Sequence, residues 1–221
     1  PRRSSDLCDA CRQVVARRNN LPYEAIFIAC THTHLGPVVY DGLYGRDPLY
    51  NDVLFRRIAD AVALALADLQ PASVSIGRNT LKDVAFVRRF LMKDGTIRTN
   101  PGRRNPQIDH PVGLPDECVQ LVRISRGDAP EILMVNFQVH PDVISGSLIS
   151  ADYPKFVRDT LERSLDHVRC VYFNGAQGDT NHINVNAPEW DMNGGYEHAK
   201  HMGRAIAGAV LQIYGKTEAI A

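Results

Sequence analysis

The chain has 221 residues with 44% apolar residues, and its 25 basic and 25 acidic side chains leave a formal net charge of zero. That length suits one large domain or two small ones, and the apolar fraction is enough for a sizeable core. The neutral balance argues against a bulk electrostatic nucleic-acid binder. No apolar run approaches the roughly 18 residues that span a bilayer, so a transmembrane segment is not expected.

Ser4-Ser5-Asp6 reads as a helix start, with the helix running to Arg18 and ending at Asn19-Asn20-Leu21-Pro22. Cys8 and Cys11 form a C-x-x-C within it. No second pair follows at zinc-ribbon spacing, and Cys11 falls on the apolar face, which reads as core. With five cysteines the redox compartment stays open. Ala25 to Cys30 is an apolar run of strand length, leading into Thr31-His32-Thr33-His34-Leu35-Gly36-Pro37. If the strand persists, His32 and His34 share a face, because side chains alternate. Two imidazoles on one face suit a divalent metal, zinc first. A long loop rich in Gly, Tyr and Asp follows, from Gly36 to Pro48, and loops of that length are often functional.

Asn51 to Leu69 has a helical apolar stripe and stops before Pro71. Ser73 to Asn79 and Val84 to Leu91 read as strands, the latter turning at Lys93-Asp94-Gly95-Thr96. Asn100 to Pro115, rich in proline, reads as loop. Cys118 to Ser125 and Glu131 to Val139 read as a hairpin pair turned at Arg126-Gly127-Asp128-Ala129, the second strand running into His140-Pro141-Asp142. A helix capped at Ser150 or Asp152, a strand from Arg169 to Asn174, a loop to Asn186 and a helix from Tyr196 to Tyr214 complete the chain. The mixture of crossovers and hairpins predicts an α/β fold with a mixed sheet and helices packed outside it.

Three strand-to-loop junctions carry the polar residues: Thr31–Pro37, Asn136–Asp142 and Asn174–Asn181. Strands of one polarity in one sheet would gather them at one edge, where α/β proteins bind ligands, and His32, His34 and His140 would converge. Asp179 reads either as a carboxylate orienting a ligand histidine or as a turn residue. One of Arg88 and Arg89 must face inward, for an oxyanion or for an ion pair. His182 is ambiguous, and His198 and His201, one helical turn apart, read as a solvated face.

Taken in order, these segments resemble the N-terminal catalytic domain of neutral/alkaline, non-lysosomal ceramidases and their bacterial relatives. The resemblance rests on Thr31 to Pro37, Val87-Arg88-Arg89, Asn100-Pro101-Gly102, Asn136 to Pro141, Ile149 to Pro154 and Gly175 to Asp179. It implies one catalytic domain over residues 1–221, incomplete at both ends, that hydrolyses a linear amide with zinc. His32 and His140 would be metal ligands; His34 and Arg88 would act at the reacting carbonyl. Glutamate and tyrosine ligands would come from sequence beyond Ala221. A small amide or lipid amide is the implied substrate, with a place in sphingolipid metabolism. Family members are often secreted or membrane-associated, and the chain itself leaves the compartment open. Asn181 stands where the family has serine and Val87 where it has asparagine, so ceramide itself is not implied. A non-catalytic metal- or ligand-binding relative remains an alternative. So does a metal hydrolase of another class, although hairpins argue against a barrel of repeated βα units.

Overall fold

The computed structural model describes residues 4–39 and 47–220. The stretch from Tyr40 to Arg46, most of the loop expected after the histidine motif, lies outside the described residues. The chain divides into two compact units: Pro1–Ala29 with Pro37–Pro71, and Cys30–Gly36 with Ala72–Ala221.

The first unit is built on α1 (Ser4–Asn19) and α2 (Pro48–Ala67). Asp47 caps α2 by accepting from the Leu49 N–H, with Pro48 in the first turn, where its missing donor costs nothing. Cys11, Val15 and Ala59 are the buried contacts, with Ile26 and Ile28 packed against them. The strand expected at Ala25–Cys30 is not formed: Tyr23–Ala25 is a single 3-10 turn, and residues 26–33 have no regular structure. The apolar run that suggested a strand serves the helices instead, since Ile26 and Ile28 pack against them and Phe27 is exposed. No ladder pairs with it among the described residues.

The described residues of the second unit hold ten strands: β1 (Ser73–Thr80), β2 (Phe86–Val87), β3 (Arg89–Met92), β4 (Ile97–Thr99), β5 (Ile108–Pro111), β6 (Cys118–Arg126), β7 (Ala129–Phe137), β8 (Val168–Asn174), β9 (Thr180–Asn181) and β10 (Glu218–Ala219). Its helices are α3 (Tyr153–Ser164) and α4 (Gly195–Tyr214). The main sheet is mixed, in the order β10-β1-β6-β7-β8, with β7 and β8 parallel and the rest antiparallel. The two parallel strands are joined through α3, which a parallel pair requires. The α3 and α4 helices pack on each other and on this sheet, burying Val157, Leu161, Ala199, Met202, Ile206 and Val210 with Val119, Leu121, Leu133 and Val135. The mixed α/β architecture expected from sequence is the one observed.

Two local expectations are corrected. The single strand at Val84–Leu91 is broken at Arg88, because β2 pairs with β9 while β3 pairs with β4 and β5. The Asn100–Pro115 segment is not all loop: β5 within it pairs antiparallel with β3.

Parallel pairing of β7 and β8 brings Phe137 opposite Asn174, so the junctions after both strands share one sheet edge. Buried tyrosines fix that edge. Tyr153 Oη donates to the Val139 carbonyl at 2.6 Å and Tyr172 Oη to the Phe137 carbonyl at 2.8 Å. Asn174 Nδ2 reaches the carbonyls of Thr31 (3.1 Å) and Val139 (3.2 Å).

Candidate metal centre

The histidine loop is bound to this edge by its backbone. The His34 N–H donates to the Pro141 carbonyl at 3.2 Å, and Ser150 N–H to the Leu35 carbonyl at 3.0 Å. Thr33 Oγ1 donates to the Ser150 carbonyl at 2.8 Å. His32 sits at φ 65, a left-handed conformation unfavourable for a residue with a Cβ. Strain of order 1–3 kcal/mol persists only where surrounding contacts over-determine it. The loop therefore delivers the imidazoles through hydrogen bonds and one strained residue, and not through strand alternation.

His32, His34 and His140 converge. Their potential ligand atoms lie within 4.8 Å of one another, the only such group of three among the described residues. Ring centroids are 5.2 Å apart for His32–His34, 4.8 Å for His32–His140 and 5.0 Å for His34–His140. The Nε2 atoms of His34 and His140 stand 3.1 Å apart. Two nitrogens bound tetrahedrally to one zinc, each about 2.0–2.1 Å from it, lie about 3.3 Å apart. His140 Nδ1 donates to the Gln177 carbonyl at 3.1 Å, which places the lone pair on Nε2, facing the other two rings. Partial burial and then the neighbouring His140, His34 and Arg88 hold the His32 pKa below its ordinary value, favouring the neutral form that binds metal. The residues present therefore fit a borderline divalent ion such as zinc.

Arg88 lies close enough to His32 to weigh on its pKa, and its Nη2 donates to the Gly178 carbonyl at 2.6 Å. Arg89 is exposed. Asp179 is exposed, and its backbone carbonyl accepts from the Arg88 N–H at 2.9 Å. The group that orients the His140 ring is the Gln177 carbonyl, where sequence reading had considered the Asp179 carboxylate. Asn181 is fully buried; its amide donates to Asn100 Oδ1 at 2.7 Å and its Oδ1 accepts from Ile183 N–H at 3.0 Å. Those bonds hold the loop and leave the side chain no visible part in the centre.

Sequence reasoning gave Asp142 no role and left His182 ambiguous. Asp142 is held below the usual carboxylate range: burial pushes it up, but His182, His140 and His34 outweigh that. His182, only 6% exposed, pairs with it at 3.3 Å. The signal available was Asp142 itself, two residues after His140 in the same polar junction.

The fold is that of neutral ceramidases. Neutral ceramidase from Pseudomonas aeruginosa superposes over 94% of this chain with a TM-score of 0.68 and 16% identity. A structure described as ceramidase complexed with C2 superposes over 94% with a TM-score of 0.71 and 17% identity. The chain spans about a third of each, 35% and 34% respectively. No protein-family model and no curated protein matches the sequence. No helix among the described residues is long and apolar enough to cross a membrane.

Proposed function

We propose that this chain carries the metal centre of a zinc-dependent, ceramidase-like amide hydrolase that cuts a linear N-acyl bond. The convergence of His32, His34 and His140 on a neutral-ceramidase fold carries the reading. His32 and His140 are the ligands, the latter oriented by Gln177. Zinc bound there supplies a Lewis acid and lowers the pKa of its water from about 15.7 to near 7. His34, its Nε2 at the same point, protonates the leaving amine. Arg88 is held by Gly178 with further guanidinium donors left to face the carbonyl oxygen as charge develops. Glutamate and tyrosine donors, implied by the resemblance, would complete the set from additional sequence. The substrate class is an N-acyl amide, lipid amides included.

The test is zinc titration with hydrolysis assays on a panel from short N-acyl amides to ceramide, on this chain and on an extended one. Hydrolysis abolished by chelation and by His32→Ala, and restored by zinc only in the parent, is the expected result. Hydrolysis insensitive to both ends the reading. The alternative, a metal-binding relative without turnover, draws on Asn181, whose amide is spent on structure where the family has serine. Tight zinc binding with no hydrolysis by the extended chain identifies it.

A further inference from the structure

Asn174, the last residue of β8, stands between the two ligand histidines of the proposed centre. Its amide Nδ2 lies 3.1 Å from the Thr31 carbonyl and 3.2 Å from the Val139 carbonyl. Thr31 is followed by His32 and Val139 by His140. Each carbonyl therefore belongs to the peptide plane that leads into one of the two histidines. A side-chain amide nitrogen carries two protons, and here each goes to one of these planes. One rigid group thus ties together two segments distant in sequence.

The surroundings fix which way the amide points. Turned over, it would set Oδ1 against two carbonyl oxygens, three acceptors with no proton among them. The Val139 carbonyl also accepts from Tyr153 Oη at 2.6 Å, so both of its lone pairs are used and its plane is pinned twice. Asn174 itself is anchored opposite Phe137 in the parallel pair, and the Gly175 N–H donates to the Phe137 carbonyl at 3.0 Å. Glycine at 175 permits this close approach, since a Cβ there would lie 2.9 Å from Gln138 Cβ.

The strain at His32 makes the bridge consequential. His32 sits at φ 65 and is held on both sides. Before it, the Thr31 carbonyl is bound by Asn174; after it, Thr33 Oγ1 donates to the Ser150 carbonyl at 2.8 Å. A residue in a left-handed conformation relaxes when its bracketing contacts go. Of the two brackets, Asn174 is the one that also reaches the His140 peptide. Its loss therefore frees the spacing of the two rings, whose centroids stand 4.8 Å apart. Both donors of Asn174 are spent on backbone, so it acts through the histidines and not on an ion or a substrate.

We propose that Asn174 is a positioning residue of the metal centre, setting the spacing of His32 and His140 before an ion arrives. The role rests on reading those two histidines as ligands of one ion. A preformed pair binds without the ordering cost of drawing two loops together.

The experiment is zinc affinity by chelator competition, with thermal unfolding, on the parent, Asn174→Ala, Asn174→Asp and Asn136→Ala. Asn174→Asp keeps the shape and removes both donors. Asn136→Ala removes a matching amide, which donates to the Phe173 carbonyl at 3.0 Å and so joins β7 to β8 away from both histidine peptides. The two Asn174 variants should bind zinc about 10–100-fold more weakly, the loss typical of removing a group that orients a ligand. Asn136→Ala should lower the Tm to a similar extent and keep zinc affinity within about twofold. Unchanged affinity in either Asn174 variant, with the parent binding zinc, overturns this role and leaves the metal centre standing. Equal zinc loss in Asn136→Ala also overturns it, since general loosening then explains the effect. A parent that binds no zinc overturns the centre and this role together. Should the Asn174 variants fail to fold, nuclear couplings across hydrogen bonds in the isotope-labelled parent decide. Couplings from Asn174 Nδ2 to the carbonyl carbons of both Thr31 and Val139, present before zinc is added, support the bridge; a coupling to one alone, or to neither, overturns it.

Discussion

The Nδ1–H of His140 donates to the backbone carbonyl of Gln177 at 3.1 Å, joining the loop after β7 to the loop after β8. The bond exists because the two strands are parallel neighbours ending at one edge. It sets which nitrogen of His140 faces His34 and His32. The acceptor is a main-chain group, so side-chain substitution at Gln177 leaves it in place.

The ligand histidines should differ from His34. His32→Ala and His140→Ala are each expected to weaken zinc binding by more than the 10–100-fold typical of losing an outer partner. His34→Ala should keep the ion within about tenfold while turnover falls roughly 10²–10⁴-fold, as for loss of general acid catalysis. Chelator competition and kcat measured on the same samples separate these. Equal loss of zinc in all three variants would make His34 a ligand and leave the leaving amine without its acid.

Arg88 and Arg89 should diverge. Arg88→Ala removes the guanidinium beside His32 and is expected to cost roughly 10²–10³ in kcat. Arg88→Lys should not recover it, since a point ammonium cannot both hold the Gly178 carbonyl and face a substrate oxygen. Arg89 is exposed, and its alanine variant should stay within about 0.5 kcal/mol in stability. Parallel kinetics and denaturation on the three variants check this.

Acid stability should depend on Glu131. Its carboxylate accepts from Arg123 at 2.6 and 2.9 Å, from Tyr214 Oη at 2.6 Å and from Ser125 Oγ at 2.7 Å. The Arg123 bond foremost, opposed by burial and helped by Tyr214 and Ser125, lowers its pKa from 4.5 to about 2. The native state thus binds this proton less readily than the unfolded chain. The stabilisation is fully present above the unfolded value and is lost as pH falls through the window from 4.5 to about 2. Its size is of the order of 3 kcal/mol. Urea denaturation from pH 6 to 2.5 should show a smaller decline for Glu131→Gln than for the parent. Parallel curves would exclude the coupling.

Gly203 sets how closely α3 and α4 approach. A Cβ there would meet Phe156 Cβ and lie 2.8 Å from the Tyr153 carbonyl oxygen. Gly203→Ala gains helix propensity of about 1 kcal/mol, but the backbone clash should outweigh it by about 1–3 kcal/mol. A lower Tm for Gly203→Ala and a higher Tm for Gly208→Ala, where the space is open and helix propensity acts alone, is the expected pair of results. A raised Tm in Gly203→Ala would show that the helices can part freely.

What the sequence determined by itself is local and periodic. The helices α2, α3 and α4, the strands β1, β6, β7 and β8 and the Asp152 cap were legible. Each is written in apolar spacing, a capping residue or a turn within a few neighbours. The polar junctions holding His32, His34 and His140 were legible for the same reason. Pairing between distant segments was not. The break at Arg88 follows from β2 turning to β9 and β3 to β4 and β5, partners that hydrophobic alternation cannot name. The apolar run holding Ile26 and Ile28 reads like a strand because they pack against two helices. The left-handed φ of His32, the Gln177 carbonyl behind His140 and the Asp142–His182 pair came only from tertiary structure. Each depends on a backbone group or side chain brought near by folding, and contacts of that kind leave no period in the chain.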